Sequence, residues 1–283
     1  MKILFKIILL FLFGNITQAQ TSKEINLPEG GWEIQESDLY FEYNTYVTKN
    51  QKVTNMKDRQ ISNFNEISSF MLSLKNTIPP HIWILPSLYA DAETDFSFVE
   101  RIIRQMALVG IKIKFVTQLK GKNQEIIRLA FTLLRSDSEK IIPLEEKNAS
   151  DESHQDETDF FSPPPPPAPW YFIVHTDMYS GNPQRVKSVL TEYKYGVLKV
   201  FPNRILEYQG KPLVISDLPK VLMEKEILFF RFDKELKYKD YIYALDMVNK
   251  ATKKAEAQKG GSSYLIDVFS ELEDFLEENN IEL

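Results

Sequence analysis

The clearest alternation of apolar and polar positions lies in the C-terminal half. VLKVF (Val197 to Phe201) alternates with the period of a half-buried strand, meets a turn at Pro202 and Asn203, and returns as RILEY (Arg204 to Tyr208). Gln209 and Gly210 close a second turn, and Ser216 is the predicted cap of a helix holding Leu218, Val221 and Leu222 at helical spacing. ILFFRF (Ile227 to Phe232) is a short apolar strand that runs into Asp233. A second helix follows, with Tyr238, Ile242, Leu245 and Val248 on one face.

The N-terminal half repeats this order. LYFEY and YVT (Leu39 to Thr48) supply strand material, and Asn63 precedes a helix that turns Ile67, Phe70, Met71 and Leu74 inward. Pro79 and Pro80 stop that helix. HIWILP (His81 to Pro86) is the apolar strand, followed through Asp91 by a helix whose predicted capping box is Ser97 and Glu100. Phe96, Ile102, Ile103, Met106 and Val109 form its inward face, Gly110 ends it, and IKIKFVT (Ile111 to Thr117) alternates as a further strand. Asp91 pairs with Asp233, Phe96 with Tyr238, Ile103 with Leu245 and Met106 with Val248 at one constant offset, the mark of an internal duplication.

The segments outside these halves have their own character. Residues 1–19 combine a basic start (Lys2, Lys6), an apolar run from Ile7 to Phe13 and small residues at Thr17 and Ala19. That is the build of a secretory signal peptide cleaved after Ala19, with an uncleaved anchor as the alternative. Residues 143–169 pass from acidic, Ser-rich sequence into five consecutive prolines, a linker of polyproline II character or a docking peptide for an aromatic groove. At the end, Leu265, Val268, Phe269, Leu272, Phe275 and Leu276 make an amphipathic stripe, expected as a helix or, over SSYLIDVF, as a strand.

Charge and composition narrow the chemistry. The formal charge of -6 argues against nucleic acid, and loss of Lys2 and Lys6 with no acid would take it to -8. With no cysteine there is neither disulfide nor thiol nucleophile, and His81, His154 and His175 are too far apart to suggest a metal or triad signature. The expectation is a binding protein, with no catalytic residue, no metal and no cofactor.

From Val197 to Ala251 the chain resembles the periplasmic domain of the ExbD/TolR family of biopolymer-transport proteins. The resemblance rests on RILEYQGKPL entering a helix, then FFRFDKELKYKDYIYALDMVNKA: a strand ending in Arg and Asp, a short loop, an aromatic before the helix and an Asp within it. LPSLYADAETDFSFVERIIRQMALVGIKIKFVT resembles the same pattern more faintly. The resemblance implies a periplasmic recognition domain whose partners are TonB- or TolA-like envelope proteins. Members carry an acid in a membrane helix to handle protons. Residues 1 to 20 here hold no Asp or Glu, so the chain departs from the motor part of that pattern.

The candidate partner-binding residues are Arg231, Asp233, Tyr238, Asp240 and Tyr241. Arg231 at a strand end would meet the carboxylates of Asp233, Asp240 and Asp246, either fixing the loop or presenting a charged groove. The tyrosines supply contact area with a polar tip, or belong to the core. His175 and Asp177, two apart in a predicted strand, would share one face. The expected fold is α+β: two small β-β-α-β-α modules, residues 32–142 and 170–283, each an open sheet with two helices on one face. The expected function is a periplasmic module engaging an envelope protein or peptidoglycan, with a homodimer also allowed by open strand edges. The alternative is a membrane-anchored subunit of a proton-driven transport complex.

Overall fold

The computed structural model describes residues 25–33, 40–75, 77–79, 82–110, 112–133, 170–259 and 263–283. The expected signal peptide, His81, His154 and the 143–169 linker lie outside them. The first half contains β1 (Trp32–Glu33), β2 (Tyr40–Val47), β3 (Val53–Asn55), β4 (Gln60–Ile61), α1 (Asn65–Lys75), β5 (Trp83–Ala90), α2 (Phe96–Ala107), β6 (Lys112–Leu119) and β7 (Lys122–Leu129). Its sheet has the order β1-β7-β6-β5-β2-β3-β4, with β5 parallel to both β2 and β6.

The second half contains α3 (Trp170–Met178), α4 (Pro183–Glu192), β8 (Tyr195–Phe201), β9 (Ile205–Tyr208), β10 (Lys211–Pro212), α5 (Leu218–Glu224), β11 (Ile227–Phe232), α6 (Tyr238–Lys259), β12 (Tyr264–Val268) and α7 (Ser270–Glu278). Its order is β10-β9-β8-β11-β12, with β11 parallel to both β8 and β12. The fold is α+β, two mixed sheets each with helices, and both halves run β-β-β-α-β-α-β through the same strand order. The first sheet adds β7 and β1 at one edge; the second half adds α3, α4 and α7.

The duplication extends to the loops. Asp91 N–H bonds Val47 O and Asp233 N–H bonds Val200 O, both at 2.9 Å. Asp91 Oδ1 accepts from Glu93 N and Asp233 Oδ1 from Glu235 N, again both at 2.9 Å. Each Asp therefore folds its own chain into the turn that starts the next helix, using a short side chain that reaches the backbone two residues on.

The helices of the two halves meet. Phe96 stacks on Tyr241 at 4.3 Å between ring centroids and stands edge-on to Phe232 at 4.9 Å. One apolar cluster runs from Phe115 and Ile126 of the first sheet through Val99, Ile103 and Leu245 to Leu198 and Phe230 of the second. The burial around α2 extends beyond one stripe, to Glu100 and Gln105, because the helix serves both halves. On the far face of the second sheet Phe229, Ile266 and Val268 pack with Val174, Val186, Leu272 and Phe275 of α3, α4 and α7.

An arm before β1 ties the halves together. Ala92 N–H bonds Asn26 O, Gln118 N–H bonds Pro28 O, and Gly31 N–H donates to Asp246 Oδ1 on α6 at 3.2 Å. Lys253 of α6 sits 3.4 Å from the centroid of the Trp32 ring.

Three local expectations are corrected. WYFIVHTDM is helix α3 rather than a strand, so His175 and Asp177 do not share a strand face. The Ser97–Glu100 capping box does not form; Glu100 bonds the backbone and hydroxyl of Ser270 across the junction instead. Ser216 lies in a short 3-10 turn and bonds Asp217, while α5 begins at Leu218 with Pro219 in its first turn, where a missing N–H costs nothing. The tail is both expected elements in succession, strand β12 and then helix α7.

Candidate functional site: the outer face of the second sheet

On β8, Leu198 and Val200 turn to the inter-helix core, which sends Val197 and Lys199 to the other face. Lys199 stands opposite Arg231 on β11 and opposite Glu207 on β9. Arg231 lines two adjoining depressions. One, of about 430 Å³, is bounded by Glu273, Leu276, Glu277, Asn280 and Ile281; the other, of about 350 Å³, by Tyr195, Val197, Lys199, Gln209 and Gly210. Gln209 and Gly210 both have positive φ, so the β9–β10 hairpin closes tightly at the rim.

Arg231 pairs with Glu273 of α7: its Nε donates to Oε2 at 2.9 Å, and a second nitrogen meets the other carboxylate oxygen. The fork geometry holds the guanidinium flat against the rim. Partial burial lowers the Arg231 pKa, and the nearby Glu277 opposes that shift. The side chain keeps 29% exposure, enough to meet an incoming group.

The first sheet has the same two positions filled differently. Tyr89 lies two residues before Asp91 as Arg231 lies two before Asp233, and Tyr46 is its strand neighbour as Lys199 is for Arg231. Tyr46 and Tyr89 lie ring to ring at 4.8 Å, with Tyr46 buried. One copy closes the position with an aromatic pair; the other places exposed Lys199 beside an Arg231 that is paired with Glu273.

The remaining expected site residues separate from Arg231. Asp233 is spent on its own turn. Tyr238 and Tyr241 are fully buried and Asp240 is 2% exposed, so these three form the junction and are not presented to a partner. Asp246 also turns inward, to Gly31 and Lys250. The residues that do join Arg231 are Lys199 and Glu273. Lys199 was visible as the polar member of an alternating strand; Glu273 was not, because its reach depends on where α7 lands.

A second polar group crosses the junction. Arg128 of β7 donates to Asp267 of β12 at 2.9 Å, and Arg104 of α2 to Glu271 of α7 at 3.0 Å. Burial raises the Asp267 pKa against the pull of Arg128. Arg128 Nε, Asp267 Oδ1 and the Tyr241 hydroxyl are buried without a hydrogen-bond partner. Nearby, His175 Nδ1 shares a 2.8 Å hydrogen bond with the Tyr264 hydroxyl and stacks on Phe131 at 4.0 Å. Burial, helped by the Arg128 charge, pushes its pKa down to about 3.

Known protein families, curated proteins and solved structures provide no match to the chain. Among the described residues no group of three or more His, Asp or Glu could hold a metal, and no helix is long and apolar enough to cross a membrane.

Proposed function

We propose that the chain is an ExbD/TolR-like binding module of the cell envelope, engaging a partner protein through the outer face of its second sheet. The observation that carries this reading is the contrast between the two copies, Lys199 and Arg231 at a pair of depressions in one and a tyrosine pair in the other. Export by the N-terminal segment would deliver the module to the periplasm, where TonB- or TolA-like proteins and peptidoglycan are the candidates to meet it. Apolar walls at Val197, Leu276 and Ile281 supply contact area, and Lys199 offers a cation to an acidic or carbonyl-rich segment that Arg231 joins in competition with Glu273.

The test is retention from a solubilised envelope extract by immobilised protein, beside the Lys199→Ala/Arg231→Ala variant. The reading expects a specific envelope protein retained by the parent and depleted at least tenfold by the variant, with thermal unfolding within a few degrees. Equal retention by both removes this face from the function. Retention of neither an envelope protein nor peptidoglycan removes the binding-module reading itself.

A further inference from the structure

Two identical units related by a twofold axis make reciprocal contacts: whatever residue i does to j, j does to i. The junction shows this reciprocity. Phe96 N–H donates to Leu236 O at 2.8 Å, and its equivalent Tyr238 N–H donates to Thr94 O, the equivalent of Leu236, at 2.9 Å. Asp95 and Lys237, 142 positions apart like the equivalent pairs from Tyr89 and Arg231 to Met106 and Val248, face each other as an antiparallel bridge and join side chain to side chain.

We propose that the chain is a completed dimer in one polypeptide: the surface on which each half would seat a second copy of itself is occupied by the other half. The charges at the equivalent positions have diverged in a way that favours the mixed pair. Two first halves would oppose Asp95 to Asp95, and two second halves Lys237 to Lys237, whereas the mixed junction opposes Asp to Lys. The intact chain therefore has no vacant copy of this surface and is a monomer with respect to it. This inference is independent of the binding role of the outer face.

The test begins from the intact folded protein carrying a specific protease site between Glu145 and Ser162. After cleavage, size exclusion and native mass spectrometry are expected to show the two pieces together, one of each, with the mass of one chain. Pieces that separate, or that sort into like pairs, overturn the proposal. Asp95→Lys and Lys237→Asp should each weaken the cleaved pair by about two- to five-fold, the scale of exposed ion pairs, and together should restore it. A double variant no tighter than the singles overturns the equivalence. Reversible dimerisation of the uncleaved parent that Asp95→Lys abolishes would show the surface to be vacant and overturn the proposal as well.

Discussion

His175 is neutral because its ring is enclosed by Phe131, Tyr179 and Tyr264, and a charge there would lose its water. Its folded pKa of about 3 lies below the ordinary 6.5, so the unfolded chain takes up the proton first on acidification. The contribution is full above pH 6.5 and is lost as pH falls toward 3. Glu100 and Asp267 act in the opposite direction: burial raises both, so the folded chain binds their protons first and gains relative stability on acidification. His175→Phe should therefore flatten the fall in melting temperature between pH 7 and pH 4.5; an unchanged slope would place the titration elsewhere. Asp267→Ala leaves Arg128 charged and buried and should cost about 3–5 kcal/mol in urea unfolding, more than removing both partners with apolar replacements. None of this was legible in the sequence. Asp267 is the one acid in the otherwise apolar YLIDV strand, and the cation that meets it, Arg128, comes from β7 of the other half.

At the scale of elements, legibility followed the uniqueness of the periodic signal. Strands β8, β11 and β6 and helices α2 and α6 alternate or recur cleanly, and each lies within a few residues of its expected place. WYFIVHTDM reads as a strand because it is apolar nearly throughout and rich in aromatics, so no helical stripe stands out. It is a helix because it covers a sheet face and needs no ladder partner. The two-residue strand β1 was invisible for a related reason, since its register comes from β7 and from Gly31 beside it. Gly31 has φ +86°, and a Cβ there would come within 2.6 Å of Glu125 O. Gly31→Ala should destabilise by about 1–3 kcal/mol in chemical unfolding and loosen α6, since the same residue bonds Asp246. Unfolding at the parent's midpoint would show that the arm is dispensable to the fold.

At the scale of the molecule, the sequence carried the repeat but not its consequence. The offset that joins Asp91 to Asp233 and Phe96 to Tyr238 was present in the residues, and the strand order confirms the shared topology. Of the two readings of the tyrosines, contact area or core, the second holds for Tyr238 and Tyr241. Tyr238 and Tyr241 follow the pattern of the unit's core, and the second copy gives that pattern a partner surface to bury against. Arg231 stayed near the surface because α7, which has no counterpart in the first half, covers only part of its face. Glu273→Ala should free the guanidinium and alter partner retention while leaving the junction intact, a separation that parallel binding and unfolding measurements would detect. Loss of both together would tie the site to the fold.

The arm from Asn26 to Gly31 carries a consequence in time. Its bond to Asp246 spans 215 positions, so it closes only after α6 has been made. The same arm is fastened twice, first within its own half through Asn26 and Pro28 and last to α6 through Gly31. β1 can cover the edge beside β7 as soon as the first half is made, and the Gly31 and Trp32 contacts then wait on that edge for Asp246 and Lys253 of α6.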